Sequence, residues 1–319
     1  MVERPCSATS QGVNYPLRKL MMKKDVGRMD KVQILDKIKT LLEMIKFSHT
    51  VFAFPFALMG VVLAALASGK PPGVGQIFWV CTAMVGARTA AMGLNRLIDA
   101  KIDAGNPRTA DRHIPAGKVS ILEASLFILV ALVIFFFSAW MLNPLCLKLA
   151  PVVVGFFVLY AYCKRFTHLA HVVLGICLAA APIGAWVALR GDLGWPVISL
   201  GIAVLFWVSG FDIFYALQDY DYDVEHGLHS VPSKLGKEKS FLLVRIFHGL
   251  MLLFLLLVLP GSGLGWIYFS GVVVVAGLLV YEHLLVKPDD LSKLDAAFFN
   301  MNGYISVTIF AFTLIDAVL

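Results

Sequence analysis

The chain has 319 residues, 59% of them hydrophobic and only 15% charged, with a mean hydropathy of +0.80. That balance excludes a soluble globular domain and a disordered chain, and it places most of the polypeptide in a bilayer. The formal net charge of +6 collects in loops beside apolar runs, so it reads as a topology signal and not as a footprint for nucleic acid.

In chain order, residues 1–29 are polar and basic with no apolar segment of signal-peptide type, and they are predicted to be a disordered tail. Met21, Met22 and Met29 are each a possible start. In the stretch KVQILDKIKTLLEMIKF that follows, Ile34, Leu35, Ile38, Leu41, Leu42 and Ile45 share one helical face. Lys31, Lys37, Lys39 and Lys46 lie largely off it, which predicts an amphipathic helix in the membrane interface.

Nine apolar runs then follow, at 50–68, 75–100, 119–141, 146–163, 166–189, 196–219, 239–259, 263–285 and 297–318. Each is long enough to cross about 30 Å of hydrocarbon as a helix. They are continuous rather than alternating with period two, which excludes a β-barrel. The predicted fold is an all-α membrane protein. Nine transmembrane helices form a bundle around a central cavity, in a single domain over residues 30–319. Loops after the even spans, counted with the first turn of the span that follows, carry eleven Lys and Arg, against three for the odd spans counted the same way. The positive-inside rule therefore puts the N-terminus and the even loops in the cytoplasm. The five cysteines form no CxxC pair, and the i, i+3 histidines His168/His171 and His226/His229 lack a partner set for zinc. His168 and His171 read as interfacial or packed groups.

Carboxylates near a bilayer are costly and mark sites. Span 2 ends in Asn95, Asp99 and Asp103, four residues apart. A shift of 120 residues lands on Tyr215, Asp219 and Asp223 at the end of span 6, with Asp212 just before. Steps of four keep a helical face nearly constant, so each triplet forms a ridge. The repetition suggests two related halves, about 50–163 and 166–285, plus a ninth helix. Two acidic ridges at one membrane face supply hard oxygen ligands for Mg²⁺, which favours carboxylates together with phosphate oxygens. Arg108, Arg112, Lys118, Lys164, Arg165 and Lys234 stand nearby to neutralise a diphosphate. An ion-coupled transporter also places acids in membranes, but a transport path needs access from both faces and these ridges share one.

The residues carry a resemblance. Asn95-Arg-Leu-Ile-Asp99-Ala-Lys-Ile-Asp103 and Asp212-Ile-Phe-Tyr215-Ala-Leu-Gln-Asp219-Tyr-Asp-Tyr-Asp223 resemble the two aspartate-rich motifs of the UbiA family of intramembrane aromatic prenyltransferases. NPRTADRHIPAG and AYCKRFTHLAHVVLGICLAAAPIGAW are similar to stretches of its bacterial members. The resemblance implies transfer of a polyprenyl group from its diphosphate to a hydroxylated aromatic carboxylate of the 4-hydroxybenzoate type, in quinone biosynthesis. A naphthoate of the futalosine route to menaquinone is the alternative acceptor. Asn95, Asp99, Asp103, Asp219 and Asp223 would hold Mg²⁺, the four aspartates serving catalysis, with Asp212 and Tyr215 supporting the second motif. The basic residues of the 108–118 loop, with Lys164 and Arg165, would handle diphosphate. Lys46 and His49 stand where related enzymes handle the aromatic acid. The expected location is a bacterial cytoplasmic membrane, among lipid, with no obligate protein partner.

Overall fold

The computed structural model describes residues 31–46, 53–287, 291, 294 and 300–319. The predicted tail and His49 lie outside these. Every regular element among the described residues is a helix: α1 (Lys31–Met44), α2 (Phe54–Ser68), α3 (Val74–Ile98), α4 (Ala100–Gly105), α5 (Ile121–Leu142), α6 (Pro144–Cys163), α7 (Ala170–Arg190), α8 (Trp195–Ala216), α9 (Tyr220–Glu225), α10 (Val231–Leu235), α11 (Lys237–Leu256), α12 (Trp266–Leu285) and α13 (Asn302–Val318).

Seven helices among the described residues are long and apolar enough to span a bilayer, which makes this an integral membrane protein. The other two predicted spans correspond to α2 and α13, of 15 and 17 residues. At 1.5 Å per residue these cover about 22 and 26 Å, short of the hydrocarbon thickness. Both adjoin residues outside the described set, so nine is the sequence-based number and seven the number that length supports. A helix forms where the amphipathic segment was expected, at Lys31–Met44.

Local chemistry explains the boundaries. Ser120 and Glu123 form a reciprocal capping box at the start of α5, with the Glu123 N–H donating to Ser120 Oγ at 3.2 Å and the Ser120 N–H donating to Glu123 Oε2 at 2.8 Å. The Cys146 N–H donates to Asn143 Oδ1 at 2.9 Å at the start of α6, where Pro144 occupies the first turn.

Within residues 39–319, α8 is the central element, with 14 of its 22 residues buried. It packs on α7 and α11, while α3 packs on α5 and α2 on α7. The main core joins Phe56, Met59, Trp207, Met251, Tyr268 and Ile305 from five of these helices. With no hydrophobic drive between helices in lipid, close contact depends on small residues. Gly175 on α7 is one: a Cβ there would stand 2.5 Å from the Leu205 carbonyl oxygen of α8. Gly60 on α2 is another, its would-be Cβ 2.3 Å from the Pro182 carbonyl oxygen of α7.

Candidate active site

Both predicted ridges converge, but neither is a straight helical stripe. At the end of α3 the chain bends at Asp99 (φ −88°, ψ 0°) into α4. The i, i−4 bonds nevertheless continue, with the Asp99 N–H donating to Asn95 O and the Asp103 N–H to Asp99 O. The first ridge therefore survives. At the end of α8 a 3₁₀ turn, Leu217–Asp219, precedes α9. Three residues per turn replace 3.6 there, so the second ridge is skewed.

Together these segments line a polar pocket of about 160 Å³ containing Asn95, Asp99, Asp103, Asp219, Asp223 and Lys164. Beside it lies a larger apolar cavity of about 640 Å³, walled by α3, α5, α6, α7 and α8. Five residues line both: Asn95, Arg112, Tyr160, Asp212 and Tyr215. A head group in the first space and a hydrocarbon in the second would meet at these five.

The carboxylates are neutralised one by one. Asp99 is fully buried; Lys164 Nζ lies 2.7 Å from its Oδ2 and Arg165 Nη1 3.0 Å from its Oδ1. Asn95 Nδ2 also donates to Asp99 Oδ2 at 3.0 Å. Arg165 is itself held by the Ala161 and Ile98 carbonyls. Asp103 accepts from Arg112 Nη1 at 2.7 Å. Asp219 accepts from Asn106 Nδ2 at 2.8 Å and Arg108 Nε at 2.8 Å, and pairs with Arg108 Nη2. Arg108 Nη1 reaches the Tyr215 hydroxyl at 3.1 Å. Burial pulls the Arg108 pKa down, but the bonds and charge of Asp219 outweigh it and leave the guanidinium more basic than usual. Arg108 and Asn106 meet Asp219 while Arg112 meets Asp103, so charge-assisted bonds hold the loop after α4 over the pocket.

The basic residues thus contact aspartates, where the sequence suggested phosphate. Lys118 is a correction: it is exposed and lines neither cavity, because it follows Gly117, whose φ of 71° turns the chain toward α5. Lys46 lines the apolar cavity, and Asp212 and Tyr215 sit at the junction.

Four residues of the site escaped the sequence reading. Asn106 bridges the two motifs by donating to Asp219 across 113 positions. Tyr160 lines the junction. His171, expected to be a packing group, instead contacts Asp212, its Nδ1 2.7 Å from Asp212 Oδ2. Arg88, two turns before Asn95 on α3, lines the apolar cavity; its Nε is buried without a hydrogen-bond partner and no described residue pairs with it. An arginine in the middle of an apolar run, well before the acidic end of α3, was the one signal available for it.

The donors suit a hard divalent cation in kind, all being carboxylate or amide oxygen. Asp103 Oδ2 is buried with no partner, an oxygen still lacking a ligand. Among the described residues no three acidic, His or Cys side chains are gathered closely enough to hold a metal. The ridges face one pocket with their charges held by Arg and Lys. Acids and bases there are close to balance, so a multiply charged anion would need added positive charge.

A helical membrane bundle with two acidic motifs closing a polar pocket over an apolar cavity defines an intramembrane enzyme for an amphiphilic substrate. The UbiA prenyltransferase family matches residues 53–304, and the chain belongs to that family. It is 30% identical over 222 residues to a 4-hydroxybenzoate octaprenyltransferase of Vibrio campbellii, covering 70% of this chain and 78% of the relative. It is 29% identical to the enzyme of the same name from a Marinomonas species, covering 85% and 96%. Among solved structures, a UbiA homologue from Aeropyrum pernix without ligand superimposes with a TM-score of 0.76 at 31% identity, covering 84% of this chain and 98% of the other. A UbiA homologue from Archaeoglobus fulgidus bound to GPP and Mg²⁺ shares the fold, with a TM-score of 0.62 at 18% identity, covering 88% and 100%.

Proposed function

We propose that the protein transfers a polyprenyl group from a polyprenyl diphosphate to a hydroxylated aromatic carboxylate of the 4-hydroxybenzoate type. The observation that carries this reading is the junction: a polar, acid- and base-lined pocket opening onto an apolar cavity through five shared residues. The relatives named for 4-hydroxybenzoate favour that acceptor over a naphthoate. The pocket's single polar end favours an enzyme over an ion pathway.

In this reading the diphosphate sits in the polar pocket and the isoprenoid tail in the apolar cavity. Asn95, Asp99, Asp103, Asp219 and Asp223 hold Mg²⁺. Bound Mg²⁺ supplies positive charge against the diphosphate as it departs. Arg108, Arg112, Lys164 and Arg165 add fixed positive charge around the same oxygens. Tyr160 and Tyr215 line the junction where the allylic carbon would lie, and aromatic rings there stabilise a cation. Arg88, whose buried Nε has no hydrogen-bond partner, holds the acceptor's carboxylate, and Lys46 lines the same cavity.

Purified protein given geranyl diphosphate and 4-hydroxybenzoate should form prenylated product with Mg²⁺. It should form none in excess EDTA and recover when Mg²⁺ is restored. Undiminished turnover without divalent metal would overturn the metal's role, and no product from any aromatic acid would overturn the function.

The expected setting is a bacterial cytoplasmic membrane, with the polar pocket at the cytoplasmic face and residues 30–319 acting as one catalytic domain. The Lys and Arg excess of the even loops supports it. A cysteine at the exposed Lys234, in a protein freed of its own cysteines, should react with a membrane-impermeant maleimide only after cells are opened. Labelling in intact cells would reverse the orientation.

A further inference from the structure

His171 and Asp212 form a coupled pair that the metal ridges do not use. His171 starts α7 and is 4% exposed. The Val231 N–H donates to its Nε2 at 3.3 Å. That bond makes Nε2 the acceptor, so the ring proton resides on Nδ1 and donates to Asp212 Oδ2 at 2.7 Å. The arrangement has a backbone anchor. Ser209 Oγ, three residues before Asp212 on α8, donates to the Leu205 carbonyl at 2.7 Å and lies 3.2 Å from the His171 carbonyl, so one hydroxyl bridges the two helices there. Gly175, one turn further along α7, lets α7 and α8 approach closely enough for these contacts. One carboxylate oxygen is thus fixed by the imidazole, while Oδ1 makes no bond to any described residue. Asp212 lies at the junction of the two cavities. Unlike Asp99, Asp103 and Asp219, it has no Arg or Lys partner among the described residues.

Resting on the prenyl-transfer reading above, we propose that Asp212 is the base that removes the ring proton of the acceptor, and that His171 is the residue positioning it. The new bond joins C1 of the allylic cation to the ring carbon next to the acceptor's hydroxyl. The C–H bond at that carbon then breaks. Its electron pair restores the ring's aromaticity, and its proton passes to Asp212 Oδ1 and from there to water in the polar pocket. No oxidant or reductant enters. A carboxylate with one oxygen tied down by a neutral imidazole presents the other in a fixed direction, which is what a base at a junction needs.

The test is a comparison of 4-hydroxybenzoate with the same acid deuterated at both carbons next to the hydroxyl, using geranyl diphosphate and Mg²⁺. Removing the positioning bond by His171→Leu should lower kcat by roughly tenfold or more, with the prenyl diphosphate KM nearly unchanged. It should also make ring C–H cleavage rate-limiting, so that a primary isotope effect larger than in the unchanged protein appears. His171→Asn places an amide N–H where Nδ1 stands and should restore kcat and suppress the effect. Asp212→Asn should behave as His171→Leu or worse. A misfolded His171→Leu would leave the His171→Asn and Asp212→Asn comparison to decide. If Asp212→Asn slows transfer with no change in isotope effect, the proton leaves by another group and the proposal fails. If the unchanged protein makes no product, the prenyl-transfer reading fails instead.

Discussion

Asp99→Asn and Asp219→Asn should each lower prenyl transfer at least roughly a hundredfold, the scale of loss expected for a displaced catalytic element. The two sites differ in what surrounds them. Asp99 is fully buried, with Lys164 and Arg165 on its two oxygens. Asparagine keeps the shape and removes the charge, so two cations lose their counter-ion and a metal loses a ligand. Asp219 is more open and joins the motifs through Asn106 and Arg108. Its replacement should loosen the 106–108 segment as well as the metal. The effects should not add, because both residues serve one clamp. Asp192 is the control. It pairs with Arg190 away from the pocket, on a half-exposed side chain, and exposed pairs contribute little. Asp192→Asn should therefore leave activity near normal. Steady-state rates over a Mg²⁺ series check all of this. Near-full activity of Asp219→Asn, in protein that stays monodisperse in detergent, would remove the two-ridge site.

The bundle was legible because hydropathy acts over whole helices, and a run of twenty apolar residues has few alternatives. The acidic motifs were legible because a carboxylate beside a bilayer is expensive and because the same spacing recurs 120 residues later. Pairing was not legible. Nothing in the spacing says that Arg108 meets Asp219 rather than Asp103, since that depends on a 3₁₀ turn at Leu217–Asp219 and on how the loop after α4 folds back. Lys118 was drawn in by its place in the basic 108–118 loop beside the first ridge, and the turn at Gly117 carries it to an exposed position outside both cavities. His171 and Asp212 lie 41 positions apart on separate helices. Their contact follows from the close approach at Gly175, which the sequence marks only as one glycine among 26. Local patterns reveal which residues bear chemistry, and helix–helix geometry decides which of them meet.

Arg88→Leu should separate function from stability in opposite directions. The guanidinium sits on α3 within an apolar cavity, and its Nε is buried without a partner. A buried polar group lacking a hydrogen bond costs about 1–3 kcal/mol. Leucine removes that cost and matches the cavity's apolar wall, so the thermal midpoint in detergent should hold or rise. Activity should move the other way. A hydrogen bond to a charged group contributes about 1.5–3 kcal/mol, which corresponds to a loss of roughly ten- to hundredfold in kcat/KM for 4-hydroxybenzoate. The KM for geranyl diphosphate should change less, because the charged diphosphate that anchors it sits in the polar pocket, which Arg88 does not line. Phenol, which has no carboxylate, provides the cross-check. The preference of the unchanged protein for 4-hydroxybenzoate over phenol should shrink sharply in Arg88→Leu, and Arg88→Lys should recover part of it, since lysine restores charge but not the planar fork. An unaltered preference, with a lowered thermal midpoint, would mean that Arg88 supports the fold and that the acceptor's carboxylate is held elsewhere. The predicted trade exists because an unpaired cation inside a membrane protein is tolerated where a ligand completes it.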